Sequence, residues 1–184
     1  VGFGGRSLID KGPKYINSPK TQIFNKSNIL YGLDLANDHI RKGQIAVIVE
    51  GYMDVIAAHQ HGFVNVVASM GTALTERQVL QLTDRSNRFV LALDPDEAGE
   101  GATLRSLEGS WHVIQSGFAG GWSTGRKASF GNANGIDIRV ALLPEKQDPD
   151  DVIMNDPDLW DKLIKEAPPF MEYIMSTLHN RLEL

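Results

Sequence analysis

The 184 residues contain no cysteine. That excludes a disulfide scaffold, thiolate catalysis and any cysteine-held zinc or iron–sulfur centre in the chain, and it fits a reducing, cytoplasmic setting. No apolar run approaches the ~18 residues a helix needs to cross a bilayer, so no membrane partner is read. Excess charge is scarce too: 18 Lys and Arg against 23 Asp and Glu leave a net −5, too little for a highly charged disordered chain. An initial Met is absent; the chain opens VGFGGRSLID, with no basic start leading into a signal-type apolar run, and reads as part of a longer polypeptide. What is present is an ordinary globular composition, 42% hydrophobic and 22% charged. It suits one domain with a real core, or one domain with a small appendage.

The charges are unevenly placed. Residues 1–43 carry seven Lys and Arg against three Asp and Glu, whereas residues 44–184 carry eleven against twenty. A basic front therefore precedes an acidic body. An acidic total argues against nucleic-acid binding through phosphate contacts, unless the carboxylates gather round divalent cations.

From residue 44 onward, short β-rich runs alternate with helical patterns, which predicts an α/β fold with a mainly parallel sheet flanked by helices. Strands are expected at 45–51, 64–69, 88–94 and 136–143, and helices at 53–61, 75–85 and 98–108. The runs IAVIVEG and RFVLALD are nearly continuous in apolar residues, as in strands covered on both faces. Thr75 with Gln78 three residues on has the form of a capping box, and Gly62 after His61 the form of a helix stop. Beyond residue 150, DVIMN reads as a short helix, and two longer helices are separated by Pro168 and Pro169. Residues 1–43 read as a partial α+β segment, basic and incomplete, with a helix from Asn28 to about Ile40. Residues 109–135 hold six glycines after Ser116 and read as a mobile surface insertion. The expected division is thus 1–43, then 44–150 with its insertion, then a helical segment 151–184.

Two apolar strands end in acid: Glu50 closes one, and Asp94 with Asp96 closes the other. In a doubly wound sheet, function gathers at the carboxyl ends of the strands. Residues i and i+2 of an extended segment face the same way, so Asp94 and Asp96 can share a centre with Glu50. Gly51 provides a permissive turn, and Asp54, one helical turn on, can point back to the same edge. Asp148, Asp150 and Asp151 follow the last strand at that end too. Crowded carboxylates repel one another unless a cation sits among them, and hard oxygen donors suit Mg²⁺ or Mn²⁺. Each acid alone has a plainer reading, as a loop solvator or helix cap; Asp54 also suits the helix dipole, and Asp148 and Asp150 suit the start of DVIMN. His59 and His61, two apart, lack the spacing of a zinc pair and read as structural.

The segments VEGYMDVIAAHQHGFVNVVASMGTALT, LALDPDEAGEGA and LPEKQDPDDVI together resemble the Toprim segment of bacterial DnaG-type DNA primases. Upstream, GFGGR, PKYINSP and FNKSNILYGL are similar to the middle of the same family's RNA polymerase core. The resemblance implies a Toprim-type fold and synthesis of short RNA primers on a single-stranded DNA template, from ribonucleoside triphosphates, by metal-dependent nucleotidyl transfer. It implies two or more Mg²⁺ or Mn²⁺ ions and no zinc in this part of the protein. Carried over by residue, Glu50, Asp94 and Asp96 match the acidic catalytic and metal positions, and Asp54, Asp148 and Asp150 match further acids of that site. Arg6, Lys14, Tyr15, Asn17 and Lys26 match the segment that handles nucleotide and nucleic acid. The family's zinc module, the first part of its core and the module that meets the replicative helicase are not among these residues. The insertion is longer than the family's usual connection, and its Arg126 and Lys127 have two readings, contact with nucleic acid and, the favoured one, keeping the loop soluble. Two other readings use the same residues: a Toprim nuclease or topoisomerase part, and a catalytically silent nucleic-acid-binding fragment.

Overall fold

The computed structural model describes residues 2–7, 15–70, 74–93 and 137–182. The expected helix at 98–108 and the Gly-rich stretch 109–135 lie outside the described residues. Two sheets are present. A small antiparallel ribbon pairs β1 (Gly4–Arg6) with β2 (Tyr15–Asn17), setting Arg6 opposite Tyr15. The main sheet holds β3 (Ile45–Val49), β4 (Val66–Ala68), β5 (Arg88–Leu91) and β6 (Asp137–Val140), in the order β4-β3-β5-β6 and all parallel.

The inner strands β3 and β5 are buried on both faces, which is why β3 and the rest of β5 after Arg88 carry no polar residue, whereas the edge strand β6 alternates charged and buried apolar ones. Ala46 and Ile48 of β3 point into one core with Val67, Phe89 and Leu91. Val47 and Val49 point into the other with Val66, Val90 and Ala92. The two-residue period of a strand sends alternate side chains to opposite faces. The first core is covered by α1 (Leu33–Gly43), α3 (Glu76–Thr83) and α6 (Phe170–Leu182), through Ala36, Ile40, Val79, Leu82 and Phe170. The second is covered by α2 (Tyr52–Gln60), α4 (Pro149–Asn155) and α5 (Pro157–Lys165), through Val55, Ala58, Val152, Ile153 and Trp160.

Open sheet edges invite pairing with other chains, and both are blunted here. Tyr31 exchanges backbone hydrogen bonds with Ala68 on the β4 side, at 2.9 and 3.1 Å. On the β6 side Val140 N–H donates to the Pro168 carbonyl at 3.1 Å, and the Arg139 guanidinium donates to the Ala167 carbonyl. Asp137 accepts from both Arg88 and Arg139 at the amino ends of β5 and β6, so this charge cluster staples the rim opposite the candidate site.

The helix expected from Asn28 to Ile40 is shifted. A 3₁₀ turn spans Lys26–Asn28, and α1 begins only at Leu33. Gly32 intervenes at φ 78°, where a Cβ would meet the Val55 side chain at 2.7 Å, so this position requires glycine on two counts. The capping box at α3 forms as expected: Gln78 N–H donates to Thr75 Oγ1 at 3.3 Å, and Thr75 N–H to Gln78 Oε1 at 2.9 Å. Gln78 does more than cap. Its buried amide nitrogen also donates to the carbonyls of Ile29 at 2.7 Å and Lys26 at 3.4 Å, tying α3 to the segment before α1. Gln78→Leu would remove both bonds and the acceptor for the Thr75 N–H at a buried position, and a loss of ~1–3 kcal/mol is expected in urea unfolding.

The histidines are structural, as the spacing indicates. His59 Nε2 lies 2.9 Å from the Val66 carbonyl and His61 Nδ1 lies 2.8 Å from that of Ala57. Gly62, at φ 87°, follows the end of α2 as a left-handed stop. Among the described residues, no helix is long and apolar enough to cross a membrane.

Candidate functional site

Parallel strands deliver their following loops to one rim, and the acids gather there. β3 is an inner strand, so Glu50, the residue after it, enters the middle of that rim half-buried. The pairing of β3 with β5 matches Ile48 to Leu91, and Ala92 N–H donates to the Ile48 carbonyl at 2.9 Å. Counted onward, that register sets Glu50 beside Leu93, the last described residue before Asp94. Asp94 and Asp96 themselves lie outside the described residues, as does Lys14.

Gly51 caps α2, but for a reason other than turn freedom. Its φ of −104° is open to any residue; what it lacks is room, because a Cβ would stand 2.9 Å from Asp54 Oδ2. The Gly51 N–H donates to that same oxygen at 2.9 Å. Asp54 thus performs the capping role that its first-turn position suggests, yet it is only 6% exposed, unusually deep for a cap. Burial pushes its carboxyl up to about 7; N–H groups of Gly51 and Asp150 oppose that rise, and the charges of Asp150 and Asp148 add to it.

Asp54 therefore faces the second acid group, at the start of α4. Asp148 is the N-cap residue, but its side chain makes no capping hydrogen bond, and Pro149 fills the first helical position. One carboxylate oxygen each from Asp148, Asp150 and Asp151 lie within 4.8 Å of one another. Burial raises the Asp150 pKa first, and Asp151 and Asp148 raise it further, while the Asp151 N–H and Arg6 pull it down. Hard oxygen donors at this spacing, with a fourth acid held in the protonation range near neutrality, fit a divalent cation. Asp151 has no counterpart among the positions that the resemblance matches, but it belongs to the same acidic run after the last strand as Asp148 and Asp150.

The basic front reaches this rim through Arg6. Its charge is felt at Asp150 and at Tyr52, and its guanidinium carbon lies 5.8 Å from the Tyr15 ring centroid. Asn17, at the far end of the ribbon, pairs with Gly4. Lys26 opens the 3₁₀ turn docked on the first turn of α3, the helix that follows β4. Of the expected residues, the structure brings Asp54, Asp148, Asp150 and Arg6 together, with Glu50 on the same rim.

Comparison with known proteins decides the relationship. A family model of the Toprim domain matches residues 44–117, and one of the DNA primase catalytic core, N-terminal domain, matches residues 1–37. The DNA primase of Clostridium acetobutylicum is 38% identical over 185 residues, covering 100% of this chain and 27% of that protein. The chain belongs to the DnaG-type primase family. Among solved structures, a DNA primase domain from Pseudomonas aeruginosa aligns with TM-score 0.78 and 34% identity, over 98% of this chain and 51% of that one. A DnaG primase catalytic domain bound to single-stranded DNA aligns with TM-score 0.76 and 31% identity, over 98% and 52%. The chain spans about a quarter of the length of the curated primases it matches. The mostly parallel four-stranded sheet flanked by helices matches the DnaG catalytic core fold, and this chain carries a small antiparallel ribbon as well.

Proposed function

We propose that this chain supplies the metal- and nucleotide-binding centre of a primase, the part of the polymerase core that joins ribonucleotides on a single-stranded DNA template. The observation that carries this reading is the approach of a cationic ribbon to an acidic rim: Arg6 stands in the field of Asp150, which faces the buried Asp54. The chain divides by task into the basic front 1–43, the acid-bearing body 44–150 and the helices 151–184 behind it. Glu50, Asp54, Asp94, Asp96, Asp148 and Asp150 form the acid set, with Asp151 beside them.

Divalent cations, when bound, would stabilise the attacking and leaving oxygens of an in-line displacement at phosphorus. The chain's own groups do the rest. Arg6 offers a planar fork to phosphate oxygens, and Lys14 and Lys26 act as point charges. Tyr15 and Asn17 present polar groups on the same ribbon. Glu50 serves as a ligand or as the acceptor of the proton from an attacking 3′-hydroxyl. No protein nucleophile is needed, because positioning and electrostatics carry phosphoryl chemistry. Single-stranded DNA, a nascent RNA primer and ribonucleoside triphosphates are the partners in this reading, and the replicative helicase is met by another part of the protein. The solved relative bound to single-stranded DNA supports the template assignment.

Calorimetric titration of Mn²⁺ with ATP is expected to show binding that disappears in Asp94→Ala and in Asp96→Ala while thermal unfolding is unchanged. Affinity indifferent to both substitutions and to chelation would refute the metal assignment. A gel assay on labelled single-stranded DNA separates polymerase from nuclease: extension products that require ribonucleotides support priming, and nicks without them support cleavage.

A further inference from the structure

Tyr52 opens α2 between Glu50 and Asp54, and none of the chemistry above uses it. Its ring is the middle of an aromatic chain. Tyr15 of the ribbon meets it edge-on, with centroids 5.6 Å apart, and Tyr31 lies tilted against it at 5.9 Å. Tyr31 is fixed to the main sheet by its backbone pair with Ala68. On the ribbon side, the Arg6 guanidinium lies over Tyr15, and a Cβ at Gly4 would come within 3.2 Å of Tyr52 Cε1, so β1 passes close to the ring. The Tyr52 hydroxyl oxygen is buried and has no hydrogen-bond partner among the described residues, so the contacts seen at Tyr52 are those of its ring.

A two-stranded ribbon with three residues per strand has no independent stability in water, and its position is set by what it packs on. Here that support is the Tyr52 ring. An edge-to-face pair contributes both attraction and a preferred angle.

We propose that the Tyr52 ring is a positioning residue: it clamps the β1–β2 ribbon, and with it Arg6 and Tyr15, at a fixed distance from the acidic rim. The clamp acts through those residues and does not touch the nucleotide. Its consequence for binding rests on the nucleotide role proposed for Arg6 and Tyr15; the clamp itself does not.

Because the chain has no cysteine, two nitroxide labels can be placed at Gly5→Cys, where a Cβ meets nothing within 4 Å, and at exposed Glu145→Cys. The distance distribution between them, measured by pulsed electron resonance, is expected to be narrow in the parent and in Tyr52→Phe and broad in Tyr52→Leu. Tyr15→Leu removes the facing ring from a residue outside both buried cores, should broaden the distribution equally, and decides the matter if Tyr52→Leu does not fold. Identical distributions in all variants overturn the clamp, and so does equal broadening in Tyr52→Phe, which would move the role to the hydroxyl. Affinity for ATP with Mn²⁺ is then expected to fall roughly 3- to 10-fold in Tyr52→Leu and to hold in Tyr52→Phe. Broadening with unchanged affinity supports the clamp and refutes the nucleotide role of the ribbon.

Discussion

Asp54→Asn is expected to make the metal-free protein more stable above pH 7 and to leave it no more stable near pH 4. Burial lifts the Asp54 carboxyl to about 7 in the folded state, against an ordinary value of 3.8. Between those values the folded chain holds a proton that the unfolded chain has released. Stability therefore falls as pH rises from about 4, and the full penalty is present above about 7. At 1.36 kcal/mol per unit, the penalty is on the order of 4 kcal/mol. An asparagine carries no charge to desolvate, but its single amide oxygen replaces two carboxylate oxygens that accept from Gly51 and Asp150, which offsets about 1 kcal/mol of the gain. Urea midpoints at pH 5 and pH 8 in chelator test this: the advantage of the variant should grow by roughly 2–3 kcal/mol between them. An equal loss at both pH values would mean that Asp54 is ionised and content where it lies. Added Mg²⁺ should shrink the decline of the parent between pH 5 and pH 8, because a cation favours the deprotonated carboxylate, and should do little for Asp54→Asn.

That capping acid shows where the sequence is transparent and where it stops. A first-turn aspartate reads as a dipole or capping residue from its position alone, and it is one: it accepts the Gly51 N–H. Its neighbours Asp148 and Asp150 lie more than ninety residues away, and only packing of α2 on α4 through Val55, Ala58 and Val152 brings them to it. Local signals were legible for the same reason that distant ones were not. The Thr75–Gln78 box spans three residues and is visible as a pattern, whereas the bonds from Gln78 to Lys26 and Ile29 cross 52 and 49 positions. Gly32 misplaced the first helix because a glycine inside a helical pattern does not announce whether it will take a left-handed turn. Strand class followed from apolar runs, but the order β4-β3-β5-β6, which makes Glu50 central, depends on which strands meet. Tyr52 gave no signal at all: an aromatic at the first position of a helix has no pattern that distinguishes a clamp from filler.

Glu50→Gln, made in the full-length primase, is expected to lower primer synthesis by ~10²–10³ with the melting temperature nearly unchanged. Glu50 leaves an inner strand at its carboxyl end, with β4 on one side and β5 on the other, so no other described acid is flanked by strands on both sides. Gln is nearly isosteric and keeps one acceptor oxygen, so the half-buried side chain retains its packing, while the charge proposed to serve a cation or an attacking hydroxyl is lost. Glu50→Asp keeps the charge but withdraws it by one methylene, and should recover part of the rate if Glu50 is a ligand able to draw the cation toward it. Glu172→Gln, on the exposed face of α6, is the control for simple loss of one negative charge and should prime normally. Activity in Glu50→Gln within about threefold of the parent would remove Glu50 from the chemistry.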